Sequence, residues 1–195
     1  MILPIIGYGN NVLKSKAVSI NTDYPNLKVI IHNMWETMYN ANGVGLAAPQ
    51  IGISIRLFIV DASPFSKDKD LSEEEISILK DFKKVFINPE IIQETGKRWD
   101  FKEGCLSIPG VREDVLRKEK IIIDYFDEKF EKQTLTLNGL AARIVQHEYD
   151  HIEGKLFTDR LSSLKKKLLK GKLNDVSKGK INTDYKIFYS KKKNK

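Results

Sequence analysis

The sequence holds 195 residues, among them three histidines and one cysteine, and two of the histidines stand four apart in Gln146-His147-Glu148-Tyr149-Asp150-His151. Residues four apart lie one above the other on a helix face, so His147 and His151 can offer two imidazole nitrogens to one ion. Glu148 then lies beside that ion without having to bind it. This is the His-Glu-x-x-His arrangement of hydrolytic metal sites, where a glutamate moves protons for a water activated by the ion. At about 100° per residue, Leu140, Ile144, His147 and His151 share one stripe, flanked by Ala141, Val145, Glu148 and Ile152. Both histidines therefore point inward, where unpaired polar groups are costly. Two hydrogen-bonded core histidines would show the same pattern, so the pair alone does not make a metal site.

A hydrolytic zinc or iron site takes three protein ligands and keeps a position open for water. No histidine follows His151, and Glu153, the one glutamate after it, is too close on the same helix. Upstream, Cys105 lies in Glu103-Gly104-Cys105-Leu106-Ser107-Ile108-Pro109, where the glycine permits close backbone approach. As a thiolate it would complete a Cys-His-His set; without such company a lone thiol is an inert buried residue. A single cysteine allows no internal disulfide and fits a reducing compartment.

The elements that must position these residues are legible in outline. The motif helix is expected over about Gly139 to Glu153, with Asn138 as cap and Gly154 as terminator. An earlier helix follows Asp23 and Pro25 and carries Leu27, Ile30, Ile31, Met34 and Met38 at helical spacing, with His32 off the stripe on the surface. Residues 43–52 break any regular element. Strands are expected at Leu57 to Val60, Val85 to Asn88, near Ile91, Trp99 to Leu106, Ile121 to Phe126 and Gln133 to Leu137. The polar stretch from Ala62 to Lys84 reads as a surface excursion with a helix start at Leu71-Ser72-Glu73-Glu74-Glu75. A basic helix over Leu161 to Leu169 and a weak last strand over 184–189 complete the chain. Short strands without alternating helices predict an α+β fold, with antiparallel or mixed strands around a central metal-binding helix.

With 41% apolar and 30% charged residues the chain is a soluble globular protein, neither disordered throughout, collagen-like nor a disulfide scaffold. No run approaches the roughly 20 apolar residues of a membrane span, and Met1-Ile2-Leu3-Pro4 lacks the features of a secretory signal. A cytoplasmic location without membrane contact is the expectation. The net charge of +7 owes much to Lys165, Lys166, Lys167, Lys170, Lys172 and the Lys191 to Lys195 run. A localised basic end fits a polyanionic neighbour such as RNA, or a solubilising tail, rather than a fold that reads DNA sequence. The division expected is a catalytic domain over 1–161 and a basic extension over 162–195.

Three segments together, Gly43-Val44-Gly45-Leu46-Ala47-Ala48-Pro49-Gln50, Glu103-Gly104-Cys105-Leu106-Ser107 and Gln146-His147-Glu148-Tyr149-Asp150-His151, resemble the three signature motifs of the peptide deformylases. Ile2 to Gly9 and Ile87-Asn88-Pro89 are also similar to that family, and the likeness runs to about Leu161. The resemblance implies removal of the formyl group from the N-terminal formylmethionine of new proteins. It implies Fe(II) held by Cys105, His147 and His151, with zinc, nickel or cobalt able to substitute. Glu148 would be general base and then acid, and the oxyanion would meet the Leu106 N–H and the Gln50 side-chain amide. Gly45 would hydrogen-bond the substrate, and Val44, Phe101, Leu140 and Ile144 would wall a methionine pocket closed by His147. Arg143 departs from the apolar residue many members carry there, and its stem would pack against the pocket. Arg112 aligns with an arginine near the substrate chain. Glu103 and Asp150 would orient ligands rather than bind the ion.

Two other functions compete. A metallopeptidase cutting internal bonds requires a downstream ligand that is missing. An RNA- or ribosome-binding protein with a structural metal would draw on the basic end, but an open three-ligand site beside a glutamate serves structure poorly.

Overall fold

The computed structural model describes residues 1–190. In chain order the regular elements are β1 (Ile5–Ile6), α1 (Leu27–Asn40), β2 (Gly45–Ala47), β3 (Leu57–Asp61), α2 (Glu73–Lys80), β4 (Lys83–Cys105), β5 (Ile108–Phe126), β6 (Lys132–Asn138), α3 (Gly139–Ile152), α4 (Ser163–Ser177) and β7 (Ile187–Phe188). Strands β2-β3-β4-β5-β6 form one antiparallel sheet in that spatial order, and β1 pairs with β7 in parallel. The fold is α+β.

Strand β3 shows how the layers assemble. Its residues Leu57-Phe58-Ile59-Val60 are all buried, and in a strand they point alternately to opposite faces. Phe58 and Val60 join a cluster with Leu140, Ala141, Ile144, Val145 and Ile152 of α3. Leu57 and Ile59 join the other cluster, with Ile31, Met34 and Met38 of α1. The sheet therefore lies between the two helices, and α3 is buried around nearly its whole circumference.

Several expectations shift. Helix α1 starts at Leu27 instead of in the Asp23-Pro25 turn, because Asn26 takes left-handed backbone (φ 57°) and gives no side-chain cap. Residues 43–52 are not wholly irregular: Gly45–Ala47 pairs with β3, and Ala48–Ile51 makes one turn of 3-10 helix. The separate strands expected between Val85 and Leu106 are one strand whose register slips near Pro89 and Gly96. The excursion at 62–84 covers core: Leu79 and Phe82 are buried against the α3 cluster, and Ser72 with Glu75 forms a reciprocal capping box at the start of α2.

Helix α3 spans the expected residues and ends at Gly154 (φ 68°), although the Asn138 side chain makes no capping bond. Helix α4 begins under the Ser162 cap and runs eight residues beyond Leu169, to Ser177. Its Leu173 and Val176 pack with Ile108, Val111 and Val115, whereas Leu164 and Leu168 remain 68% and 75% exposed. No helix among the described residues is long and apolar enough to cross a membrane. The Lys191 to Lys195 run lies outside the described residues.

Candidate active site

Cys105 is the last residue of β4, and Leu106-Ser107 turn the chain into β5, with Cys105 opposite Ile108. The hairpin delivers its thiol to α3, where the helical repeat stacks His147 and His151. Their ligand atoms lie within 4.8 Å of one another, and the Cys105 Sγ is 3.2 Å from His151 Nε2. His147 Nδ1 lies 2.9 Å from a Glu103 carboxylate oxygen, so donation there leaves the Nε2 lone pair for an ion. One thiolate and two imidazole nitrogens suit a single transition-metal ion such as zinc or iron. Cys105 and His147 line a cavity of about 780 Å³ together with Glu148.

Glu148 is buried, and one of its carboxylate oxygens has no hydrogen-bond partner in the protein. Burial pushes its carboxyl up to about 7, with the neighbouring imidazoles of His147 and His151 opposing. That is a suitable poise for accepting and returning a proton near neutrality. The carboxylate occupies space left by Gly45, where a Cβ would collide with it. Burial also raises the Cys105 thiol, but the His151 and His147 rings outweigh it and bring it down to about 5, favouring thiolate.

The Gln50 amide has a fixed orientation. Its oxygen accepts from the Ala47 N–H at 2.8 Å, which turns the NH₂ toward Cys105 Sγ at 3.5 Å and Ser107 Oγ at 3.2 Å. An N–H donor is thereby aimed at the Cys105 sulfur from the 3-10 turn after β2.

Beneath the histidines lies a buried ion network. Arg117 holds Glu103 bidentately at 2.7 and 2.9 Å and reaches Asp150 at 2.7 Å. Arg160 closes on Asp150 from the other side. Burial would raise the Glu103 carboxyl, but Arg117 and His147 hold it well below the usual carboxylate range. A permanently charged Glu103 fixes the His147 ring.

The family model for polypeptide deformylase matches residues 2–167. The chain belongs to the polypeptide deformylase family. It is 63% identical over 187 residues to a peptide deformylase of Christiangramia forsetii, covering 96% of this chain and 95% of that one. Identity to the peptide deformylase of Flavobacterium psychrophilum is 58%, covering 96% of each. A crystal structure of a peptide deformylase from Legionella pneumophila superposes with a TM-score of 0.77 at 37% identity, covering 92% of this chain and 98% of the other.

Within this deformylase fold, most residues singled out from the sequence converge. Val44, Gly45, Gln50, Phe101, Leu106 and Ile144 line the same cavity as Cys105, His147 and Glu148. Arg112 lines it too, exposed on β5 opposite Gly104. Leu140 does not: it is buried among the core residues between α3 and the sheet. His151 is buried below the cavity lining.

Arg143 lines the cavity as well, in keeping with a stem packed on the pocket, but its guanidinium is buried too, the whole residue being 2% exposed. The guanidinium donates to Glu103 at 3.0 Å and to the carbonyls of Val115 and Trp99 at 2.9 and 2.7 Å, and lies over the Trp99 ring. It ties β4, β5 and Glu103 together behind the pocket.

Sequence reasoning missed Arg117, Arg160 and the cleft-lining residues 182–185. Alternation along β5 was the available signal for Arg117, since it shares a face with buried Val115. The sequence offered no comparable signal for 182–185.

Proposed function

We propose that Cys105, His147 and His151 hold one Fe(II) ion, replaceable by zinc, nickel or cobalt, and that Glu148, Gln50 and the Leu106 N–H act around it. The reaction is that of the family: hydrolysis of the formyl amide on the N-terminal formylmethionine of new chains, with release of formate. The observation that carries the assignment is three ligand atoms within 4.8 Å of one another beside a buried glutamate with a free oxygen.

The bound ion would supply Lewis-acid polarisation and a water of lowered pKa. Glu148 accepts the proton of that water as its oxygen joins the formyl carbon. It returns the proton to the departing amine as the C–N bond breaks, leaving formate and a free N-terminus. Developing negative charge on the formyl oxygen faces the Gln50 NH₂, already oriented by the bond from the Ala47 N–H, and the Leu106 N–H. Val44, Phe101 and Ile144 receive the methionine side chain. Strand β2 is an edge of the sheet, and its Gly45 lets an extended peptide lie close to the backbone. Arg112 is placed to meet the peptide chain at the rim.

Incubating the metal-loaded protein with formyl-Met-Ala-Ser and with Met-Ala-Ser tests the reading. Formate and free amine from the first, with no internal cleavage of either, support it; internal cleavage would favour a metallopeptidase. Glu148→Ala is expected to abolish turnover while metal stays bound, and retained turnover would displace Glu148 as base. Iron is tested by decay: the iron form should lose activity faster in air than under anaerobic conditions, and faster than a zinc or nickel form.

Residues 1–161 contain every side chain assigned to the reaction, and 162–195 are a basic extension suited to ribosome docking in the cytoplasm. Exposed Lys167 and Lys170 beside exposed Leu164 and Leu168 on α4 support this. Salt-sensitive co-sedimentation with ribosomes is expected; salt-insensitive association, or none, removes the docking.

A further inference from the structure

The segment after α4 returns to the catalytic side of the molecule. Asn182, Thr183, Asp184 and Tyr185 line the same cleft as Val44 and Gly45. The segment is anchored at both ends. Before it, Ile181 packs with Ile108 and Val111. After it, Ile187–Phe188 pairs with β1, where Ile5 N–H donates to Lys186 O at 2.8 Å and Gly7 N–H to Phe188 O at 2.9 Å. Tyr189 fills the space over Gly7 that a Cβ would occupy.

Between those anchors, the Tyr185 hydroxyl donates to the Leu106 carbonyl at 2.9 Å. Leu106 lies in the two-residue turn that joins the Cys105 ligand to β5, and the other holds on that turn bind Ser107. Gln50 Nε2 donates to Ser107 Oγ at 3.2 Å, and the Tyr8 N–H to Ser107 O at 2.8 Å. Tyr185 thus supplies a side-chain hold on the Leu106–Ser107 peptide unit, next to the unit that carries the Leu106 N–H, from 79 residues away in sequence. A short turn without internal sheet bonds takes its geometry from such outside contacts, and an oxyanion donor loses effect when its direction wanders.

We propose that residues 182–185 form a working wall of the substrate cleft and that Tyr185, by donating to the Leu106 carbonyl, positions the turn whose N–H meets the oxyanion. This rests on the assignment of the Leu106 N–H in the reaction above. Tyr185 is a positioning residue, acting through Leu106, and Asp184 offers one negative charge to the peptide residues following methionine.

The test uses the full-length, metal-loaded enzyme. Tyr185→Phe removes one neutral hydrogen bond and should lower kcat on formyl-Met-Ala-Ser roughly three- to tenfold, with KM within about twofold and metal content unchanged. Tyr189→Phe is the control on the same segment: its hydroxyl is buried without a partner, so kcat should match the parent. Unchanged kcat in Tyr185→Phe, or an equal fall in Tyr189→Phe, overturns the positioning role. Gln50→Ala separates the two readings. If it lowers kcat while Tyr185→Phe does not, the inference fails and the oxyanion assignment stands; no formate from the parent enzyme would sink the assignment itself. For the wall, Asp184→Lys should raise the kcat/KM ratio of formyl-Met-Ala-Glu over formyl-Met-Ala-Lys several-fold, and an unmoved ratio places 182–185 outside the substrate's path.

Discussion

The two sides of the cleft are built to different standards. Under α3, Glu103 accepts from Arg117, Arg143 and His147, while Asp150 accepts from Arg117 and Arg160, nearly all of it buried. The 182–185 wall of the same cleft is held by a two-residue strand, a few apolar contacts, the Tyr185 hydroxyl and an internal bond from the Thr183 hydroxyl to the Tyr185 carbonyl. The ligand side is fixed several times over, as an imidazole that is to bind a metal needs one ring orientation and one proton position. The substrate side has to admit chains of many sequences, and a lightly held wall suits that task.

The comparison breaks first at Arg117. Arg117→Ala would leave Glu103 and Asp150 as buried carboxylates short of a partner, a loss of about 3–5 kcal/mol. Chemical denaturation should show this as a large drop in midpoint, and a loss below about 1 kcal/mol would mean the network is less tightly coupled than its distances imply. A smaller effect is expected at Glu103→Gln, which keeps the shape but weakens the hold on His147 and leaves the two arginines under-balanced. Metal affinity should fall about 10- to 100-fold, measured by competition with a chelator. The smallest belongs to the periphery. The Lys165–Glu113 pair, 3.0 Å apart and part-exposed between α4 and β5, is expected to contribute at most about 1 kcal/mol. Lys165→Ala should therefore barely move the unfolding midpoint, and a shift as large as that of Arg117→Ala would erase the contrast between the regions.

What the sequence disclosed follows the same division. His147, Glu148 and His151 could be read because a helix has one repeat, and α3 keeps it from Gly139 to Ile152 between the end of β6 and Gly154. The placement of Cys105 beside them depends on a hairpin lying 42 residues upstream of His147, which no local period reports; the missing third ligand pointed to it, and the resemblance added its role. Strand β5 was harder for a physical reason. Leu116 is exposed and Arg117 is buried, the reverse of what hydropathy prefers, because two buried carboxylates call for a cation on the inner face. Arg143 misled in the same way, since its burial is offset by Glu103 and two strand carbonyls that lie far off in sequence. Strand β4 was read in pieces because Pro89 and Gly96 look like terminators, while the fold uses slips of register there to bend one continuous strand.

Gly45 leaves almost no margin. The hydrogen that serves as its side chain is all that separates the edge strand from the proton-carrying carboxylate. One added methyl would displace Glu148 and, at the same moment, roughen the track along which an extended peptide lies. Proton transfer and substrate seating would therefore share the space that Gly45 leaves, and a change there would disturb both before it disturbed folding.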